Sequence, residues 1–104
     1  MYGRKEVHKM LSIQKISDEV AVVAKEFSIS KAELFGSYAN GTATEQSDVD
    51  LLVEFHPAKV TLLTLSRVKN RLEELLRVEV DVIHGPVPPD SILEIERTVS
   101  LYGS

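Results

Sequence analysis

The chain has 104 residues, 43% of them hydrophobic, so it has the size of one domain and should bury roughly two thirds of the surface its unfolded chain exposes. It contains no cysteine, which excludes disulfides, thiolate metal sites and a cysteine nucleophile and fits a reducing compartment, with the cytoplasm as the default. A net charge of −4 opposes an extended phosphate-tracking surface, so nucleic acid is not an expected partner; and no apolar run approaches the roughly 20 residues that cross a bilayer, so no membrane role is expected.

Residues 1 to 11 show no clear period and are expected to be a flexible N-terminal segment, with the domain running over 12–104. From Leu11 the apolar residues Leu11, Ile16, Val20, Val23, Ala24 and Phe27 recur at helical spacing, which predicts a first helix over about 12–27. Ser28 to Lys31 should break it, and Ala32 to Phe35 read as a short buried strand stopped by Gly36. The small polar segment from Ser37 to Ser47 reads as a loop with room for one helical turn. A second strand over about 48–55 alternates, with Val49, Leu51 and Val53 on one side and Asp48, Asp50, Leu52 and Glu54 on the other; Pro57 ends it.

Residues 61–77 carry Leu62, Leu65, Val68, Leu72, Leu75 and Leu76 at helical spacing with charged residues between, an amphipathic helix. The following V-E-V-D-V-I predicts a third strand with Val78, Val80 and Val82 towards the core and Asp81 facing away. After the stiff Gly85 to Pro89 turn, Ser91 and Glu94 have capping-box spacing, predicting a last helix over about 90–101. The expected fold class is α/β (α+β): a small mixed sheet of about three to four strands with helices packed mainly on one face.

Two aspartates two apart on a strand leave the same face, so Asp48 and Asp50 can converge on one cation or a close pair. Asp81 joins them if the third strand lies beside the second. Three like charges on one face repel, which favours a cation as their partner, and magnesium takes hard oxygen ligands with water and phosphate oxygens completing its shell. The plainer reading is a solvated sheet face carrying ordinary charges. A glycine at the end of the first strand lets backbone approach a ligand, and Ser37 adds a hydroxyl, so the Gly36–Ser37 turn can receive phosphate oxygens. The histidines at 8, 56 and 84 lack ligand spacing and read as surface or strand-end residues, and Tyr38 reads more simply as a packing aromatic than as a stacking one. Ser47 is equally a carboxylate-orienting hydroxyl and a strand cap.

The run G-S-Y-A-N-G, then S-D-V-D-L-L-V, then V-D-V-I, resembles the nucleotidyltransferase superfamily that includes DNA polymerase β, and the chain's brevity resembles its minimal nucleotidyltransferase (MNT) type. The resemblance covers about residues 12–102. It implies that Gly36 and Ser37 contact the β- and γ-phosphates of a nucleoside triphosphate, with Gly41 counted among the nucleotide-binding residues of the same loop. It implies that Asp48, Asp50 and Asp81 are both the metal-binding and the catalytic residues, holding two Mg2+ ions, with ATP as substrate. The implied partner is a HEPN-family toxin that receives AMP on a tyrosine, which makes the chain an antitoxin; a homo-oligomer is compatible with the small size. A non-catalytic antitoxin that binds its toxin, and a transferase acting on a small molecule, are the competing classes. The chain departs from the family where members often carry arginine before the second glycine: Asn40 stands there, removing a phosphate cation that Arg67, Lys69 or Arg71 could replace unless they only decorate a solvated helix face.

Overall fold

A computed structural model describes residues 11–57, 59–86 and 97–103. Helix α1, Ile13–Phe27, starts where the Ser12 hydroxyl accepts a hydrogen bond from the Lys15 N–H at 3.0 Å, satisfying one of the free donors of the first turn. Its buried stripe is Ile16, Val20, Val23 and Ala24, the spacing that puts one face against a core. Ser28 ends it in the left-handed region, φ 59°, and the chain passes directly into strand β1, Ile29–Phe35. The strand therefore begins three residues earlier than Ala32: one left-handed residue is enough to turn the chain, and Ile29, buried, already pairs with Phe55.

Helix α2, Gly36–Asn40, supplies the single helical turn in the loop, and strand β2, Val49–Phe55, follows. Helix α3, Leu62–Leu76, is capped by the Thr61 hydroxyl, which accepts from the Thr64 N–H at 3.2 Å, and it buries Val68, Leu72 and Leu76. Strand β3, Val80–His84, pairs in parallel with β2, and the sheet order is β3-β2-β1-β4. Strand β1 is antiparallel to β2 and to β4, so among the described residues the sheet is mixed and four-stranded, as expected for the fold class.

The fourth strand corrects the sequence reading. The capping-box spacing predicts a last helix over about 90–101; residues 87–96 lie outside the described residues, and Val99–Tyr102 form strand β4 instead. The physical reason is the open edge of β1. V-S-L-Y alternates apolar and polar, which suits a strand with Leu101 turned inward, and it pairs with Leu34, Glu33 and Ala32. The Ser17 hydroxyl donates to the Leu101 carbonyl at 3.1 Å, tying α1 to the new edge.

Helices α1 and α3 pack on each other and on the sheet. Their stripes meet Ala32 and Leu34 of β1, Val49, Leu51 and Val53 of β2 and Val80 of β3, all buried. Alternation then sends Asp50, Leu52 and Glu54, with Asp81 and Ile83 beside them, to the opposite face. The core thus fixes which way the aspartates point. Among the described residues no helix is long and apolar enough to cross a membrane.

Candidate active site

Three elements bring the site together at one end of the sheet. The parallel register pairs Asp50 with Asp81, so the two carboxyl-bearing residues are neighbours on adjacent strands, about 4.8 Å apart at the backbone. Asp48 lies one residue ahead of β2 and shares the side of Asp50 by the two-residue alternation; it is exposed, as is Asp81, while Asp50 is half-buried. Antiparallel pairing sets Phe35 opposite Asp50, so the chain leaves β1 for the Gly36 turn beside that carboxylate.

Gly36 has φ +74°, in the left-handed region, and a Cβ there would press on Asp50 Oδ2 and stand 3.2 Å from its Cγ. Glycine is required twice over, by conformation and by the closeness of the aspartate. Gly41, φ +78°, ends α2; its N–H and that of Thr42 both donate to the Ser37 carbonyl, the second at 2.9 Å. The loop from Gly36 to Gly41 is therefore a closed turn resting against Asp50.

Tyr38 is buried, and its hydroxyl accepts from the Leu11 N–H at 3.2 Å, so it packs rather than stacks on a ligand. Among the described residues Ser47 neither caps the strand nor bonds a carboxylate. Its hydroxyl accepts from the Thr44 N–H at 2.8 Å and its own N–H donates to the Thr44 carbonyl at 3.1 Å, closing the turn that delivers Asp48. His84 packs edge-on against Phe55, with ring centres 5.6 Å apart, and His8 lies outside the described residues.

Burial of Asp50, then the neighbouring Asp81 charge and a hydrogen bond with its carboxyl, and last the Asp48 charge, push the Asp50 carboxyl up from 3.8 to about 6. The fold has concentrated negative charge where it is expensive. Among the described residues no three acidic or histidine side chains close on one point as a finished cage. Magnesium does not need one: it keeps several waters and takes phosphate oxygens, so adjacent carboxylates of Asp50 and Asp81 with Asp48 two residues away are a fitting hard-oxygen donor set.

Beside Asp48 opens a cleft of about 450 Å³, lined by Glu45, Ser47 and Asp48 of the loop, Glu73 and Arg77 of the α3 end, and Glu79. Among the described residues Arg77 is the one cationic side chain lining it, and it holds the left-handed C-cap position of α3, φ 64°, where glycine is the favoured residue. Of the three cations considered as substitutes at Asn40, two are engaged elsewhere. Lys69 Nζ lies 2.6 Å from Glu73, and Arg71 grips Glu26 through Nε at 3.0 Å and Nη2 at 3.2 Å. Glu73 and Arg77 were not singled out from the sequence; the one available signal was an arginine where a helix-ending glycine is usual.

Residues 14–102 match the family described as Nucleotidyltransferase domain. The chain belongs to the nucleotidyltransferase family. This nucleotidyltransferase is an α/β enzyme of mixed-sheet architecture. Over 73 residues it is 41% identical to a Methanocaldococcus jannaschii protein assigned as a protein adenylyltransferase, covering 70% of this chain and 77% of that one. Over 78 residues it is 36% identical to the protein adenylyltransferase MntA of Thermococcus cleftensis, covering 71% and 78%. Its fold matches, with TM-score 0.67 and 17% identity over 88% of this chain and 73% of the other, a chain in the complex of tri-AMPylated Shewanella oneidensis HEPN toxin with MNT antitoxin. That likeness is one of fold.

Proposed function

We propose that this nucleotidyltransferase is an antitoxin that transfers AMP from Mg-ATP to a hydroxyl, a tyrosine's, of a HEPN toxin and so neutralises it in the cytoplasm. The observation that carries the reading is the register pairing of Asp50 with Asp81 beside the Gly36 turn. The protein adenylyltransferase name of the Thermococcus cleftensis relative and the AMPylated toxin in the fold neighbour's complex support the choice of group and acceptor.

In this reading Asp48 and Asp50 hold the divalent cations, Asp81 completes the donor set, and the turn at Gly36 and Ser37 receives the β- and γ-phosphates, with Gly41 closing the loop. Two bound cations would supply electrostatic stabilisation of the attacking and leaving oxygens. Asp81, exposed on β3, accepts the proton of the acceptor hydroxyl. The hydroxyl oxygen bonds to the α-phosphorus as the bond to the bridging oxygen breaks, and pyrophosphate leaves. Gly36, by keeping its Cβ-free surface against Asp50, lets the triphosphate lie next to the carboxylates.

The test is the purified pair given ATP and magnesium. The toxin should gain the mass of one or more AMP groups, and the gain should vanish when Asp48 and Asp50 are replaced by asparagine. A toxin neutralised by that double variant with no mass gain would overturn the reading.

A further inference from the structure

Among the described residues strand β3 is one edge of the sheet, and an edge strand has N–H groups with no ladder partner. The Val49 N–H donates to the Glu79 carbonyl at 3.0 Å and the Gly85 N–H donates to the Val53 carbonyl at 2.8 Å. Odd-numbered residues therefore turn their polar groups towards β2, and the even-numbered ones turn theirs outward. Val80, the first residue of β3, has the first outward N–H. That donor is satisfied by a helix side chain: it donates to Glu73 Oε2 at 3.0 Å, and the same oxygen accepts from Lys69 Nζ at 2.6 Å.

Glu73 is partly exposed and sits in the last turns of α3, whose C-terminal end is closed when the Arg77 N–H donates to the Glu73 carbonyl at 2.9 Å. Lys69 first, then the Val80 bond, hold the Glu73 carboxyl below its usual range, so it stays an acceptor at neutral pH. The grip falls on the residue immediately before Asp81. A strand start that frays there moves Asp81, and a slip of one residue would turn Asp81 to the core face and Val80 outward.

We infer that Glu73 is a positioning residue: its carboxylate fills the acceptor position that a neighbouring strand's carbonyl would fill at Val80 and so holds Asp81 in register beside Asp50. The inference rests on the reading of Asp81 as a cation ligand. The Glu73 carboxylate is engaged by the Val80 N–H and Lys69, so it acts on the strand that carries the ligand, as outer groups do around metal sites.

The experiment uses the full chain with Mn2+ as the probe, and compares Glu73→Ala, Glu73→Asp, Glu73→Gln and Asp81→Asn. Mn2+ affinity is measured by titration, and amide hydrogen exchange is followed at Val80 and Asp81, both well below the melting temperature. Glu73→Ala should weaken Mn2+ binding about tenfold, the low end for groups that orient ligands, and speed exchange at Val80 and Asp81 more than in α1. Glu73→Asp keeps the charge but shortens the reach, and should fall on the same side. Glu73→Gln keeps an acceptor oxygen while losing the charge pair with Lys69, and should restore most of both readouts. The inference is overturned if Glu73→Ala and Glu73→Asp leave Mn2+ affinity unchanged while Asp81→Asn weakens it, since Glu73 would then only stabilise the fold. If Asp81→Asn itself leaves Mn2+ affinity unchanged, the reading of the site fails and the inference with it.

Discussion

Replacing Asp50 by asparagine removes one of three clustered charges while keeping the side-chain shape, and the outcome for stability depends on pH in a definite direction. The Asp50 carboxyl is raised from 3.8 to about 6, so the folded chain holds this proton more tightly than the unfolded chain does. Its contribution is therefore most favourable below pH 3.8, declines as pH rises towards 6, and stays at its lowest level above that. At about 1.4 kcal/mol for each pH unit the whole interval is worth about 3 kcal/mol, and because Asp50 is only half-buried, solvent screening reduces this to about 1 kcal/mol. In chelator at pH 7.5, Asp50→Asn should be the more stable protein, by about 4–8 °C in Tm for a chain of this size. At pH 4 the two proteins should melt together. Millimolar Mg2+ should then raise the wild-type Tm more than the variant's, since a ligand stabilises only the form that binds it. Differential scanning calorimetry in matched buffers reads all three conditions. A variant that loses stability in chelator at pH 7.5, or gains equally at both pH values, would refute the like-charge account of the site.

The same structure fixes the sign of other perturbations. Arg77→Gly should stabilise the fold by about 1 kcal/mol, because Arg77 holds a left-handed helix cap that costs a side chain and costs glycine little; urea denaturation measures it. Gly36→Ala should do the opposite, destabilising by about 1–2 kcal/mol from the backbone alone, and its Cβ should displace the Asp50 carboxyl, so ATP and Mn2+ affinities by calorimetry should fall with the Tm. Leu72→Ala, at a position 1% exposed between α3 and the sheet, should cost about 2–5 kcal/mol in urea denaturation without a pH-dependent component.

The parts of this molecule legible beforehand are those decided by local pattern. The apolar stripes of α1 and α3 and the alternation of D-V-D-L-L-V-E-F each commit a face to the core whatever the neighbours do. That is why Asp48 and Asp50 could be set on one face, and Asp81 turned from the core on its own strand, before any pairing was known: burying Val49, Leu51 and Val80 leaves the aspartates nowhere else to point, and only the pairing of β2 with β3 sets Asp81 beside Asp50. The remainder depended on contacts distant in sequence. V-S-L-Y is too short for its own period to choose between helix and strand, and the open edge of β1 chose strand. The start of β1 at Ile29 turned on its pairing with Phe55, not on the breaker-like composition around it. The fate of Lys69 and Arg71 was likewise illegible, since Arg71 meets Glu26 only because α1 packs on α3. Glu73 carries no local signal for its bond to Val80, which exists because α3 packs against β3.

The central claim is that this site moves a nucleotidyl group, and the position of the label in ATP tests it most directly. The purified toxin pair should be incubated with magnesium and ATP labelled either in the α- or in the γ-phosphate, with wild-type chain and with Asp81→Asn. Label from the α-phosphate should enter the toxin, label from the γ-phosphate should leave as pyrophosphate, and Asp81→Asn should suppress both while the pair still forms. Transfer of the γ-label, or neutralisation of the toxin with no α-label incorporated, would contradict it.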